Sequence, residues 1–299
     1  MPNPSPLRYP GGKNRLASFI GLVIQNLNLQ NCTYVEPFAG GAGVALSLLL
    51  NGTVDNIIIN DYDKAIYSFW RAIKQEPDTL ISRIEDTPVT IEEWHRQKGV
   101  YSSATSYSLD LAFATLFLNR TNHSGILNAG PIGGYSQAGE WKLDVRFDKE
   151  ALIAKIGAIA EHRQNITIYN KDIISLLRNY APGFGDNVFF YFDPPYYNKG
   201  QKLYKNFFSH QDHQRIRDII AQEIVEPWII TYDDVEEIAG LYADFAMRRF
   251  DLTYSAANKG TASELMFFSD IHSCPTQKQL PKAEQEEQGM CNCRFTSLA

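Results

Sequence analysis

The apolar residues of this chain fall into two alternating rhythms. Between Lys13 and Leu29, Leu16, Phe19, Ile20, Val23, Ile24 and Leu27 recur at helical spacing after a loop, so an amphipathic helix is expected. Thr33 to Phe38 is a short β-rich run that ends in Ala39-Gly40-Gly41-Ala42-Gly43. A helical apolar stretch, Val44 to Leu50, follows it, giving strand, glycine loop, helix. Asn56 to Asn60 reads as a second apolar strand, closed by Asp61, with a helix from about Lys64 to Gln75 behind it. From about residue 76 to 164 this βαβ rhythm stops. The sequence there mixes a Thr/Glu-rich stretch, an apolar helix over Leu109 to Leu118, and a loop dense in Gly, Asn and Ser. The rhythm returns with short strands at Ile166 to Asn170, Val188 to Phe192 and Trp228 to Thr231. Met247 to Tyr254 and Glu264 to Ser269 flank a polar loop and predict an antiparallel hairpin, whereas Pro275 to Gly289 has the composition of a disordered tail.

The expected fold class is therefore α/β, a Rossmann-like sheet formed by residues 1–75 and 165–273. Residues 76–164 form an inserted, mainly helical domain, and 274–299 a tail. With 299 residues and 44% apolar content the chain can bury a large core. Its apolar runs are too short for membrane spans, and Met1-Pro2-Asn3-Pro4-Ser5-Pro6 lacks the build of a signal peptide, so a cytoplasmic protein with no membrane partner is expected. A net charge of −6 argues against coating nucleic acid by bulk electrostatics and leaves room for a local basic cleft. Cys32 and Cys274 stand alone, and the Cys291/Cys293 pair has no second pair or nearby His. Reduced thiols and no metal are expected. Nothing in the sequence demands more than a monomer.

Candidate chemistry sits at two strand ends. A glycine loop between strand and helix allows close backbone approach and offers free N–H groups. Asp61, 21 positions after Gly40, lies where a carboxylate can accept hydrogen bonds from ribose hydroxyls. The pair fits a nucleoside cofactor without separating NAD from S-adenosylmethionine; the alternative is a tight turn with a helix-capping Asp. Asp193-Pro194-Pro195-Tyr196 is more specific. An adenine amino nitrogen is a poor nucleophile because its lone pair is delocalised into the ring, and two acceptors aimed at its hydrogens would favour tetrahedral geometry. The Asp193 carboxylate and the Pro194 carbonyl can be those acceptors, with Pro195 stiffening the turn and Tyr196 offering a face to an extruded base. The alternative is a proline-rich turn after a strand.

Taken together, these motifs resemble those of the Dam-type (D12 class) DNA adenine-N6 methyltransferases, bacterial and phage enzymes. Arg8-Tyr9-Pro10-Gly11-Gly12-Lys13 resembles the N-terminal cofactor motif and Glu36 to Gly43 the glycine loop. Asn60-Asp61 resembles the ribose-binding acid and Asp193 to Tyr196 the catalytic motif. The resemblance implies an S-adenosylmethionine-dependent enzyme acting on double-stranded DNA, with Tyr9, Lys13, Asp61 and Asp193 lining the cofactor pocket. Phe38 and Gly40 would shape its floor, and Asp172 would stand near the cofactor's adenine. Residues 76–164 would be the target-recognition domain, with Arg120 and Asn122 in its DNA-facing segment and His123, Tyr135, Trp141 and Lys142 as weaker candidates. Asn258 and Lys259 would lie in a loop touching the base or adjacent phosphates, and Lys199 to Lys205 in a phosphate-facing flap. Ile132-Gly133-Gly134-Tyr135-Ser136 departs from the Dam-like pattern, so GATC recognition does not carry over. Two rival readings are cytosine N4 methylation and a noncatalytic DNA-binding protein that keeps the pocket.

Overall fold

A computed structural model of the chain describes residues 3–9, 13–198, 208–254 and 260–270, and the side chains of all of these but 15, 251–254 and 260–262. The expected tail, the lysine run from 199 to 205, Asn258 and Lys259 lie outside the described residues. The chain divides into two compact units, Met1–Ala17 with Phe38–Asp172, and Ser18–Pro37 with Ile173–Ala299.

The first unit carries β2 (Asn56–Asn60) and β3 (Ile166–Tyr169), paired in parallel from Ile57↔Ile166 to Asn60↔Tyr169. Its helices are α2 (Gly43–Leu50), α3 (Lys64–Gln75), α4 (Pro77–Asp86), α5 (Ile91–Ser103), α6 (Leu109–Thr121) and α7 (Lys149–Glu161). Short polar side chains start them: Asp63, Thr90, Ser108 and Asp148 accept backbone N–H groups of the first turns of α3, α5, α6 and α7. α3 buries Ala65, Ile66, Phe69, Trp70, Ala72 and Ile73 along one stripe. α6 is buried on nearly every side, and its interior hydroxyls are satisfied locally, Thr115 bonding the Leu111 carbonyl and Thr121 that of Phe117. Of the helices in the 76–164 stretch, α4, α6 and α7 pack on α3 and α5 packs on α6, and all fall in the same unit as the glycine loop. α4 and α7 keep helical apolar spacing, at Leu80, Ile81 and Ile84 and at Leu152, Ile153, Ile156 and Ile159, and go unread all the same, whereas polar and small residues interrupt the spacing of α5. That helix buries only Trp94, Gln97 and Tyr101.

The second unit carries α1 (Ala17–Asn26), whose first residue falls in the other unit, and β1 (Thr33–Glu36). Further on come β4 (Val188–Phe192), α8 (His210–Glu223), β5 (Trp228–Asp233), α9 (Glu236–Leu241), β6 (Ala246–Tyr254) and β7 (Gly260–Phe268). Its strands run in the order β1-β4-β5-β7-β6; β1, β4 and β5 are parallel, and β7 is antiparallel to both β5 and β6. β4 and β5 are buried at every residue, as strands covered on both faces require. The C-terminal pair is the expected hairpin, in register from Ala246↔Phe268 to Tyr254↔Gly260. α8 begins in a reciprocal cap, in which Ser209 accepts the Asp212 N–H and Asp212 accepts the Ser209 N–H. Parallel strands joined through helices, with a glycine loop after β1, give the expected α/β, Rossmann-like class.

Candidate active site

The glycine loop of the first unit is pinned by three hydrogen bonds. Ala39 N–H donates to the Asn60 carbonyl at 2.9 Å, Gly40 N–H donates to Asp61 Oδ2 at 2.9 Å, and Trp70 Nε1 donates to the Gly40 carbonyl at 2.9 Å. Gly40 has a positive φ of 46°, and a β-carbon there would stand 2.6 Å from two ring carbons of Tyr9, so only glycine fits beneath that ring. Asp61 also accepts the Asp63 N–H through Oδ1 at 2.8 Å, while Asp63 is the residue that caps α3. Asp61 is therefore no helix cap. Its half-buried carboxylate binds the glycine loop and keeps further lone pairs for a ligand. Burial pushes Asp61 up to about 7, against the hydrogen bonds from Asp63 and Gly40, which pull it down. The ends of β2 and β3 are fastened alongside: Asn60 Oδ1 accepts Lys171 N–H at 2.8 Å and Asn170 Nδ2 donates to the Asp61 carbonyl at 2.7 Å. Lys13 is buried, Phe38 half-buried and Asp172 exposed.

In the second unit, Asp193 leaves the carboxyl end of β4 half-buried, and the Thr231 hydroxyl on β5 donates to its Oδ1 at 3.1 Å. Thr231 also shares a hydrogen bond of 2.9 Å with the Tyr191 hydroxyl. Burial, with Asp193 next and Glu36 and Glu264 beyond, holds the Tyr191 phenol well above its ordinary range. Pro194 and Tyr196 are buried and Pro195 half-buried; the Tyr196 hydroxyl donates to Glu264 at 2.7 Å. Past the tetrapeptide, Asp233 grips the chain, accepting Tyr197 N–H at 2.8 Å and Asn198 N–H at 3.1 Å. The tetrapeptide is consequently fixed at both ends.

The DNA-facing candidates divide. Arg120 is half-buried in the last turn of α6. Asn122 turns inward: its Oδ1 accepts Trp94 Nε1 at 2.7 Å and its Nδ2 donates to the carbonyls of Ile126 and Leu127. That corrects the expectation of an outward DNA contact, because its hydrogen-bonding groups are engaged in holding the loop shut. Tyr135 and Trp141 are each 62% exposed, Tyr135 stacking on His95 at 5.9 Å.

A family model for D12 class N6 adenine-specific DNA methyltransferases matches residues 9–256, which include the glycine loop, Asp61 and Asp193 to Tyr196. The chain belongs to that family. Among curated proteins, this D12 class methyltransferase is 25% identical over 209 residues to the type II methyltransferase M.MjaIII of Methanocaldococcus jannaschii, covering 64% of this chain and 68% of that one. It is 23% identical over 276 residues to the type II methyltransferase M1.LlaDCHI of Lactococcus lactis subsp. cremoris, covering 85% and 90%. Among solved structures, the rRNA methyltransferase aviRa of Streptomyces viridochromogenes overlaps 87% of this chain and 86% of its own at 12% identity and a TM-score of 0.44, too loose a likeness to bear on function. Sequence reasoning passed over Trp70, Thr231, Asp233 and Glu264 in this methyltransferase. For the last two a signal exists, a carboxylate directly bounding an apolar run, Asp233 after Trp228 to Tyr232 and Glu264 before Leu265 to Phe268; for Trp70 and Thr231 none does.

Proposed function

We propose that this D12 class enzyme transfers the methyl group of S-adenosylmethionine to N6 of adenine at a specific site in double-stranded DNA, as a type II modification enzyme. The observation that carries the reading is the carboxylate of Asp193, fixed by Thr231 at the end of a buried parallel strand with Pro194 and Pro195 behind it. The first unit fits the cofactor: Gly40 lacks the side chain that would fill the space under Tyr9, and Asp61 retains acceptor capacity for ribose hydroxyls. Lys13 would meet the amino-acid carboxylate, Phe38 the floor, and Asp172 the adenine edge. The cofactor would supply an electrophilic sulfonium methyl.

Asp193 and the Pro194 carbonyl accept the two N–H bonds of the target amine, which concentrates its lone pair toward the incoming methyl. Positioning and electrostatics supply most of the rate. The base is reached by extrusion from the duplex, and Tyr196 takes the stacking role. Residues 76–164 serve as the target-recognition region, with Arg120 on the DNA.

The test is incubation of the protein and its Asp193→Ala variant with labelled S-adenosylmethionine and unmethylated genomic DNA, followed by digestion to nucleosides. Labelled N6-methyladenine from the wild type alone is expected. Label on cytosine would establish the N4 reading, and bound cofactor with no labelled nucleoside would establish a noncatalytic protein.

A further inference from the structure

We propose that Arg8, Arg120, Arg146 and Lys155 form one anion site in the first unit, and that its ligand is a phosphodiester of the DNA backbone. The choice of ligand rests on the reading of the chain as an enzyme acting on duplex DNA.

The four cations are brought together by separate fastenings. Asn119 accepts Arg8 N–H through Oδ1 at 2.7 Å and donates to the Arg8 carbonyl through Nδ2 at 2.7 Å, which ties Arg8 to the residue before Arg120. Arg8 Nη1 reaches the Asn122 carbonyl at 3.5 Å. Arg146 ends a short helical turn, Leu143–Arg146, that packs on α6. Its neighbour Phe147 lies 5.3 Å from Phe117, one helical turn before Arg120. Lys155 on α7 donates to the carbonyl of Ser5, three residues before Arg8, at 3.2 Å.

None of the four forms a salt bridge with a carboxylate among the described residues, and Arg120 Nε is buried without a hydrogen-bond partner. The carboxylate that acts on Arg120 belongs to Asp148, which is exposed and already caps α7 through Ala151 N–H at 3.0 Å. Burial holds Arg8, Arg120 and Lys155 below their ordinary values, and the neighbouring cations add to it: Arg146 on Arg8, Arg8 and Arg146 on Arg120, and Arg120 on Lys155. Partly desolvated charge without a counter-ion is costly, and an anionic ligand would supply the missing charge. A phosphate matches the forked guanidinium with paired acceptors, which ammonium-only clusters do not require. Arg146 is exposed and leaves the site open to a polymer. The acidic net charge of −6 makes an unpaired group of four cations a local exception rather than a general property of the surface.

The experiment measures anisotropy of a labelled random-sequence duplex against salt for the wild type and for Arg120→Gln, Arg146→Gln and Lys155→Gln. Each variant is expected to weaken binding for every duplex sequence alike and to lower the slope of log affinity against log salt by about 1. Arg146 is exposed, so its variant decides the matter: a wild-type slope and affinity in Arg146→Gln overturns the proposal. In buffer free of multivalent anions, Arg146→Gln should melt no lower than the wild type, since it relieves repulsion; a clear drop would mark a structural role and also overturn it. Inorganic phosphate at matched ionic strength separates the sources: phosphate protection that added duplex leaves untouched assigns the site to a small anion and overturns the DNA assignment. A wild type that binds duplex through this site yet forms no N6-methyladenine keeps the site and loses the reaction. Methylation together with unchanged slopes in the variants does the reverse.

Discussion

The ring of Tyr9 covers Gly40 so closely that a β-carbon at position 40 would meet it at 2.6 Å, in a backbone conformation with φ of 46°. Gly40→Ala therefore carries two penalties, about 1–2 kcal/mol for the left-handed conformation and the displacement of Tyr9. Calorimetric titration with S-adenosylmethionine should show affinity reduced about tenfold or more. Unchanged affinity would mean that the cradle does not face the cofactor.

Thr231 links two side chains, donating to Asp193 and sharing a hydrogen bond with Tyr191. Thr231→Val keeps the shape and removes both bonds, leaving the buried Tyr191 hydroxyl unpaired at a cost of about 1–3 kcal/mol. Single-turnover methylation should slow while cofactor affinity stays at the wild-type level. A lowered melting temperature with an unchanged rate would assign Thr231 to folding alone.

Asp61 is raised from 3.8 to about 7 by burial. A carboxyl group shifted upward favours the protonated folded state, so its contribution to the stability of the free protein is fully present below about pH 4 and is lost as pH rises through about 7. A ribose hydroxyl, in contrast, donates best to the ionised form. Cofactor affinity should accordingly rise between pH 6 and 8, a window spanning the raised value of about 7, and Asp61→Asn should bind weakly with that rise abolished. A parallel rise in the variant would exclude Asp61 as its source.

His213 on α8 is fully buried against Tyr232, with Nδ1 3.1 Å from the Tyr232 hydroxyl, and its ring lies 5.3 Å from that of Tyr197, the residue after Tyr196. Burial lowers it from 6.5 to about 4, opposed by Asp233 and Asp212 and helped by His210. With the folded value depressed, the stability it confers is complete above 6.5 and is lost as pH falls toward about 4. Thermal melting across this window should fall steeply for the wild type and less steeply for His213→Phe. Equal slopes would place the acid sensitivity elsewhere.

Asn122 engages Trp94, Ile126 and Leu127 from inside the loop. Asn122→Ala should lower stability by about 1–3 kcal/mol for the groups it leaves unpaired, measured by denaturant unfolding. The salt slope of duplex binding should stay unchanged, since no phosphate contact is lost. A reduced slope at wild-type stability would restore Asn122 as a DNA contact.

Local chemistry was legible in the chain by itself. β4 and α3 match their sequence-read spans residue for residue, because apolar patterning and the bounding polar or glycine residues act over a few neighbours. The glycine loop, Asp61 and the Asp193 to Tyr196 turn were visible for the same reason: each is a short run whose chemistry depends on adjacent residues. The sequence also left Asp61 open between helix cap and ligand acid. The fold removes the helix-cap reading by giving the cap to Asp63 and turning Asp61 onto Gly40, 21 residues away. Thr231 and Glu264 acquire their parts because β5 runs beside the strand that ends in Asp193 and β7 beside β5, a neighbourhood set by long-range pairing that no local pattern encodes. In the same way Asn122, polar and set in a loop, reads as surface until the packing of α5 and α6 puts Trp94 against it. The gathering of Arg8, Arg120, Arg146 and Lys155 likewise depends on which segments pack together.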